Sequence, residues 1–156
     1  MTLDRRTLLR GAGAAAAGAA VLPTAGRSAR AQAAAANTIR IAVLTDMSGT
    51  YRDVTGPIEV ACVRQAAAEF AGRGFDIDVI FADNQNKPDV GSNITRQWFD
   101  RDGVDAVVDG GASSVALAVN EIVREKNKAF LNSSSATSDL TGKACSPNTV
   151  HWTYDT

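Results

Sequence analysis

Residues 39–45 read IRIAVLT, a nearly continuous run of apolar and mostly β-branched or small side chains. Such a run, with little alternation, is typical of a strand that is covered on both faces. The polar segment 46–53 follows as a loop, and a helix is predicted from Gly56 or Pro57 to Ala71. The chain beyond its first forty residues therefore opens on a buried strand, a loop and a helix.

This pattern then repeats along the chain. Further strands are predicted at residues 76–81, 104–108 and 129–131, with a candidate fifth strand at 149–154. Further helices are predicted at residues 88–100 and from Ser113 or Ser114, as N-cap, to Asn127. Strands separated by helices imply right-handed βαβ units. The predicted fold class is α/β, a doubly wound parallel sheet with helices on both faces.

Helical periodicity also predicts which side chains face the sheet. In the first helix, apolar residues recur at three- and four-residue spacing at Val60, Val63, Ala67 and Phe70. These side chains are predicted to pack on the sheet. Trp98, in the second helix, is predicted to lie in the core.

Residues 1–31 read as an export signal rather than as part of the fold. Arg5 and Arg6 precede an Ala- and Gly-rich stretch at residues 11–22, and cleavage is possible after Ala31 or Ala33. The apolar stretch is well short of the roughly 20 residues that cross a bilayer. The segment resembles a twin-arginine export signal, which implies a location outside the cytoplasm.

Charge is distributed unevenly between this segment and the rest. The whole chain has a formal net charge of -1, but residues 1–31 hold five arginines and one aspartate, a net +4, which leaves -5 beyond them. The acidic remainder has no basic patch. Nucleic acid is therefore not an expected partner.

Cysteine and histidine usage limits metal chemistry. Cys62 and Cys145 permit one structural disulfide in an oxidising compartment, and a buried free thiol at Cys62 is the alternative. His151 is the single histidine in the sequence, and no Cys or His cluster has metal-ligand spacing. No metal and no cofactor are expected.

Two hydroxyl-rich loops follow apolar runs and predict a binding site. Residues 132–141 read NSSSATSDLT, and residues 110–114 read GGASS. In doubly wound sheets ligands bind beyond the carboxyl ends of the strands, where both loops would lie together with segments 46–53 and 83–87. The alternative is that each loop is an ordinary Ser-rich surface turn.

The residue types in these loops suit a small carboxylate ligand. A helix that starts near Ser113 aims free amides and the positive end of its dipole at the crevice. Hydroxyl groups of Ser113, Ser134 and Thr137 add candidate hydrogen bonds, and Tyr51 is a candidate wall for an apolar part of the ligand. Plain N-capping by Ser113 and plain packing by Tyr51 are the alternatives.

Acidic residues at the strand ends are given structural rather than chemical roles. Asp83 and Asp109 are predicted to accept hydrogen bonds from nearby loop amides. Residues 46–50, DMSGT, differ from the Asp-x-Asp-Gly-Thr signature of haloacid dehalogenase phosphatases because Ser48 stands where the general acid is needed. No dinucleotide fingerprint or Ser-centred hydrolase motif is present beyond the first strand. The protein is not expected to be an enzyme.

Four segments in order carry a family resemblance: 39–53, DNQNKP at 83–88, VDAVVDG at 104–110, and 132–141. They look like the first lobe of the leucine/isoleucine/valine-type (type I) periplasmic binding proteins. The resemblance implies a binding protein of an ABC importer whose two lobes close on an amino acid or related acid and deliver it to a membrane permease. It also implies that residues 37–156 are the first lobe only.

The same resemblance suggests individual contacts. By position, Ser113 corresponds to the family's carboxylate-binding serine, and Ser134 with Ala136 corresponds to its second binding loop. Where the family often has threonine, this sequence has Ala136 with Thr137 next to it, which leaves the ligand's identity open. A ligand-sensing domain of the same fold in a signalling protein is the alternative function. The chain stops within an apolar run and is expected to be a fragment, truncated after its first lobe.

Overall fold

The computed structural model describes residues 37–156. Its strands are β1 (Thr38–Thr45), β2 (Asp76–Asp83), β3 (Ala106–Asp109), β4 (Ala129–Asn132) and β5 (Thr149–His151). Its helices are α1 (Gly56–Glu69), α2 (Pro88–Asp100) and α3 (Ser113–Lys126), with one 3-10 turn at Ser138–Leu140. The predicted alternation of strands and helices is confirmed. The predicted export signal lies outside the described residues.

All five strands pair in parallel in the order β2-β1-β3-β4-β5. The sheet grows in one direction from β1 to β2 and in the other from β1 through β3. The order therefore reverses between β1 and β3, and a crevice opens there at the carboxyl ends of the strands. The prediction of a parallel α/β sheet is confirmed.

Helices α2 and α3 cover one face of the sheet and enclose the core. Leu44, Trp98, Val119 and Phe130 are among its buried side chains, so the prediction for Trp98 is confirmed. The two helices approach closely at Gly91, where an added Cβ would lie 2.9 Å from Val115 Cγ1. Glycine at this position lets the two helices pack as one layer.

Helix α1 lies on the opposite face and covers only part of it. Val60 is buried, but Phe70 is 44% exposed and stacks under the Arg73 guanidinium, 4.7 Å from the ring centroid. The prediction that Phe70 packs on the sheet is wrong because α1 ends at Glu69, one residue before it. An apolar groove remains between α1 and the sheet, lined in part by Val63.

Neither cysteine is buried or bonded. Cys62 lies on the outer side of α1, and both Cys62 and Cys145 are exposed free thiols. The expectation of a buried thiol at Cys62 is wrong, because α1 buries only a narrow stripe of its surface. Across residues 37–156, none of the helices combines the length and apolar character that a bilayer crossing requires.

Candidate functional site

The loop after β1 is organised by the carboxylate of Asp46. This side chain is buried, and its oxygens accept hydrogen bonds from the backbone amides of Gly49 at 2.6 Å, Tyr51 at 2.9 Å and Ser48 at 3.3 Å. A Cβ on Gly49 would lie 2.6 Å from Asp46 Oδ2, so the loop needs glycine there. The Asp46 carboxylate is therefore occupied by its own loop rather than exposed for chemistry.

The loop after β2 is bound in a similar way by Asp83. Its Oδ1 accepts hydrogen bonds from the amides of Met47 at 2.9 Å and Gln85 at 2.7 Å, and the Ser48 hydroxyl donates to Oδ2 at 2.6 Å. Burial acts to raise the pKa of Asp83. The hydrogen bonds outweigh burial, so the pKa of this carboxyl lies below its ordinary value. The predicted structural role of Asp83 is confirmed.

The chain leaves β3 through a sharp left-handed turn. Asp109, Gly110 and Gly111 have φ angles of 79°, 90° and 62°. A Cβ on Gly110 would lie 2.9 Å from Phe130 Cζ and 3.3 Å from Ala116 Cβ, so the backbone passes directly over the core. Asp109 Oδ1 accepts a hydrogen bond from the Gly111 amide at 3.2 Å, which confirms its predicted role. This turn delivers the start of α3 to the crevice.

Helix α3 begins without a side-chain cap. Its N-cap is Ala112, so the prediction that Ser113 or Ser114 caps the helix is wrong. The reason is the left-handed turn, which brings the chain into helical geometry at Ser113 itself. Within the described part of the chain, no group bonds the hydroxyl of Ser113 or the amides of Ser113, Ser114 and Val115. Three donors and the positive end of the helix dipole are left open.

The loop after β4, residues 133–137, leaves its amides open as well. Nothing among residues 37–156 accepts a hydrogen bond from the backbone N–H of any residue in this loop. The Thr137 oxygen accepts from the Asp139 amide at 3.3 Å, which leaves the Thr137 hydroxyl proton free to donate. Ser134 differs, because its hydroxyl donates to the Asp109 carboxylate. What Ser134 offers a ligand is its backbone amide.

Comparison with known proteins follows from this arrangement of a parallel sheet and donor-lined loops. The family model described as periplasmic binding protein matches residues 38–156. The chain belongs to the periplasmic binding protein family. Among curated proteins, none matches this chain.

Solved structures agree with this family. A periplasmic binding protein from Burkholderia mallei is 39% identical with a TM-score of 0.73, covering 77% of this chain and 32% of its own. A branched-chain amino acid ABC transporter periplasmic ligand-binding protein from Burkholderia xenovorans LB400 is 38% identical with a TM-score of 0.72, covering 75% of this chain and 32% of its own. This binding protein chain thus spans about a third of the length of those structures.

A more distant structure shares the fold. The solute binding protein of an ABC transporter from Rhodopseudomonas palustris BisB5, solved with 3,4-dihydroxybenzoic acid, is 20% identical with a TM-score of 0.68. The match covers 76% of the present chain and 32% of the other. The family is one of substrate-binding proteins, and its name implies a periplasmic location.

Within this periplasmic binding protein, hydrogen bonds bring the two hydroxyl-rich loops together. Ser134 Oγ contacts the Asp109 carboxylate and lies 3.4 Å from the Gly111 carbonyl oxygen. Ala136 and Thr137 are half-buried in the same loop. Tyr51 lies in the loop after β1 with its ring 42% exposed, and no printed contact joins it to the others. Ser113, Ser134, Ala136 and Thr137 therefore belong to adjoining loops, and Tyr51 stands apart.

Two acidic side chains lie beside the open amides of this binding protein. Burial raises the pKa of Glu59, and the charge of Asp109 raises it further. Burial likewise raises the pKa of Asp109, despite hydrogen bonds from Ser134 and Gly111. A raised pKa favours the neutral carboxyl, which weakens the repulsion that a ligand carboxylate would otherwise meet.

Three polar residues in this region are not singled out by sequence reasoning. Glu59 Oε1 accepts a hydrogen bond from the Ser133 hydroxyl at 2.9 Å. Asn132 is buried, and its Nδ2 donates to the Asp109 carbonyl at 2.5 Å. His151 contacts the loop after β4 from β5. The available signal was a polar residue inside or directly after an apolar run, as at Asn132 and His151.

Proposed function

We propose that this chain provides the first lobe, residues 37–156, of the extracytoplasmic substrate-binding component of an ABC importer. The protein binds a small carboxylate ligand, such as a branched-chain or other amino acid, between two lobes and delivers it to the permease. Residues 1–31 direct export by the twin-arginine route and are removed near residues 31–33. This assignment makes the protein a carrier and not an enzyme.

The observation that carries this proposal is the convergence of unpaired donors at one sheet edge. The amides that begin α3 and the amides of residues 133–137 flank the crevice beyond β3 and β4, and the Ser113 hydroxyl adds another donor. Convergent N–H groups at a helix N-terminus favour an anionic group. A carboxylate satisfies several of them at once, whereas an apolar ligand would leave them unpaired.

Calorimetry on the full-length protein tests the proposal. The probes are L-leucine, L-isoleucine and 3,4-dihydroxybenzoate. Ser113→Ala should weaken binding of the bound probe by about 1–2 kcal/mol, the scale of a hydrogen bond to a charged group. Ser114→Ala is the matched control, since Ser114 is the exposed neighbour on the same helical turn and should bind as the wild type does. Equal affinity in the Ser113→Ala protein would remove Ser113 from the site.

A further inference from the structure

The end of the described chain runs beside the loop after β4 and holds two of its carbonyl groups. His151 Nε2 lies 2.6 Å from the carbonyl oxygen of Ser135. The next carbonyl, that of Ala136, accepts two hydrogen bonds from Thr156, one from the amide at 2.8 Å and one from the hydroxyl at 2.9 Å. Two consecutive peptide groups are therefore fixed from the side of β5.

His151 is itself held in place. Its side chain is 2% exposed, and Nδ1 lies 3.3 Å from Asp155 Oδ1. Because a carbonyl oxygen can only accept, the hydrogen bond to Ser135 requires the proton on Nε2. A buried ring with a partner at each nitrogen has little rotational freedom. The Ser135 carbonyl is thus tied to a rigid group.

Peptide geometry converts this contact into a direction for the donors. In a planar trans peptide, the N–H points opposite to the C=O of the same unit. The Ser135 carbonyl and the Ala136 amide share one unit, and the Ala136 carbonyl and the Thr137 amide share the next. With both carbonyls turned toward the β5 side, both amides point away from it. Because β5 and β3 flank β4 on opposite sides, the amides face the loop after β3.

We propose that His151 is a positioning residue of the ligand site. By holding the Ser135 carbonyl, it aims the Ala136 amide, and with Thr156 the Thr137 amide, at the carboxylate of the bound ligand. The inference rests on the proposed function only for the nature of the ligand. The orientation of the two amides is a property of the free protein.

The first test therefore needs no ligand. Amide proton–nitrogen spectra and hydrogen exchange are recorded on the full-length protein for the wild type, His151→Leu and His151→Gln. His151→Leu should shift the Ala136 and Thr137 signals and speed their exchange, whereas His151→Gln, which keeps a side-chain N–H donor, should restore much of the wild-type pattern. Unchanged signals in the His151→Leu protein would overturn the proposal.

Thr149→Val is the matched control. Thr149 also lies on β5, but its hydroxyl donates to Asn120 Oδ1 at 2.5 Å, in α3 rather than in the ligand loop. It should lower thermal stability without moving the Ala136 and Thr137 signals. If His151→Leu does not fold, Asp155→Ala releases the far side of the ring and should shift the same two signals in the same direction. Equal shifts from Thr149→Val and the His151 variants would make the role merely structural.

The second test measures affinity with the same three probes by calorimetry. For a probe that the wild type binds, His151→Leu should weaken binding about tenfold, the effect of one misaligned hydrogen bond to a charged group. His151→Gln should recover most of that loss, and Thr149→Val should show none. If the wild type binds none of the probes, the proposed ligand class is wrong, and the spectra alone decide the role of His151.

Discussion

At the carboxyl edge of the sheet, the loops after β1 and β2 bond their own amides, whereas the loops after β3 and β4 leave theirs open. In the first pair, Asp46 and Asp83 accept five backbone hydrogen bonds between them. In the second pair, the N–H groups at the start of α3 and in residues 133–137 have no partner within the described chain. We call these the self-bonded loops and the open loops. The difference teaches that the second pair is available to a ligand.

Gly110 is the position where the open loops can be broken most completely. Gly110→Ala should lower the free energy of unfolding by about 4 kcal/mol, because it combines a strained left-handed backbone with overpacking. The clash is with Phe130 and Ala116. Urea denaturation measures the loss. Gly103→Ala is the control, since Gly103 is also left-handed but has nothing within 4 Å of an added Cβ. It should cost about 1 kcal/mol, and equal costs would show that packing over the core is unimportant.

Asp46 tests the self-bonded loops. Asp46→Ala removes the acceptor of three amides and should lower the free energy of unfolding by about 2–3 kcal/mol. Because the open loops keep their donors, ligand affinity should change much less than stability does. Denaturation and calorimetry on the same variant separate the two effects. Asp46→Asn, which retains one acceptor oxygen, should lie between the wild type and alanine. A larger effect on affinity than on stability would contradict the division of the edge.

The two kinds of loop should also differ in their response to pH. The native pKa of Asp109 is raised, so the stability it contributes is complete below its ordinary pKa of 3.8 and is lost as pH rises through the native value. Asp83 has a lowered pKa, so its contribution is present above 3.8 and is lost as pH falls through the native value. Glu59 has the same sign as Asp109.

Melting temperatures between about pH 3 and pH 7 check these signs through linkage. Asp109→Asn should reduce the loss of stability on the alkaline side of this window, and Asp83→Asn should reduce the loss on the acid side. Glu59→Gln serves as a control that removes the neighbouring carboxyl while leaving Asp109 in place. Parallel pH profiles for Asp109→Asn and the wild type would show that the buried carboxyl does not titrate differently on folding.

Tyr51 should have the smallest effect on stability. Its backbone amide, not its ring, is bonded to Asp46, and the ring is 42% exposed. Tyr51→Ala should therefore change the free energy of unfolding by less than about 0.5 kcal/mol. A loss of affinity in calorimetry without a loss of stability would place the ring against the ligand. A large loss of stability would instead show that the ring packs on the self-bonded loops.

Much of the fold was predictable because long apolar runs determine the order of strands and helices. The limits of α2 were predicted to the residue, since Pro88 suits a helix start. The prediction for Phe70 was wrong because helical periodicity continued in the sequence after the helix had ended. The caps of α3 were wrong because the left-handed turn before it depends on backbone angles that Ser113 and Ser114 do not reveal.

The site was predictable in place but not in chemistry. Hydroxyl-rich composition located the two open loops, and their strand-end position put them at one edge. Sequence reasoning assigned the binding to hydroxyl groups, yet the Ser134 hydroxyl is bonded to Asp109 and the open donors are mostly backbone amides. Their direction depends on His151 and Thr156, which are 16 and 20 residues from their partners in the chain. Such contacts come from strand pairing and are not visible in local composition.

The open donors belong to the main chain, and this separates recognition of an anion from the identity of the side chains around it. Substitutions within residues 133–137 change the volume and polarity beside a ligand, but among the natural amino acids only proline removes an N–H group. A lineage of such proteins can therefore diverge in the ligand it accepts, one substitution at a time, without losing the anion contact in any intermediate form.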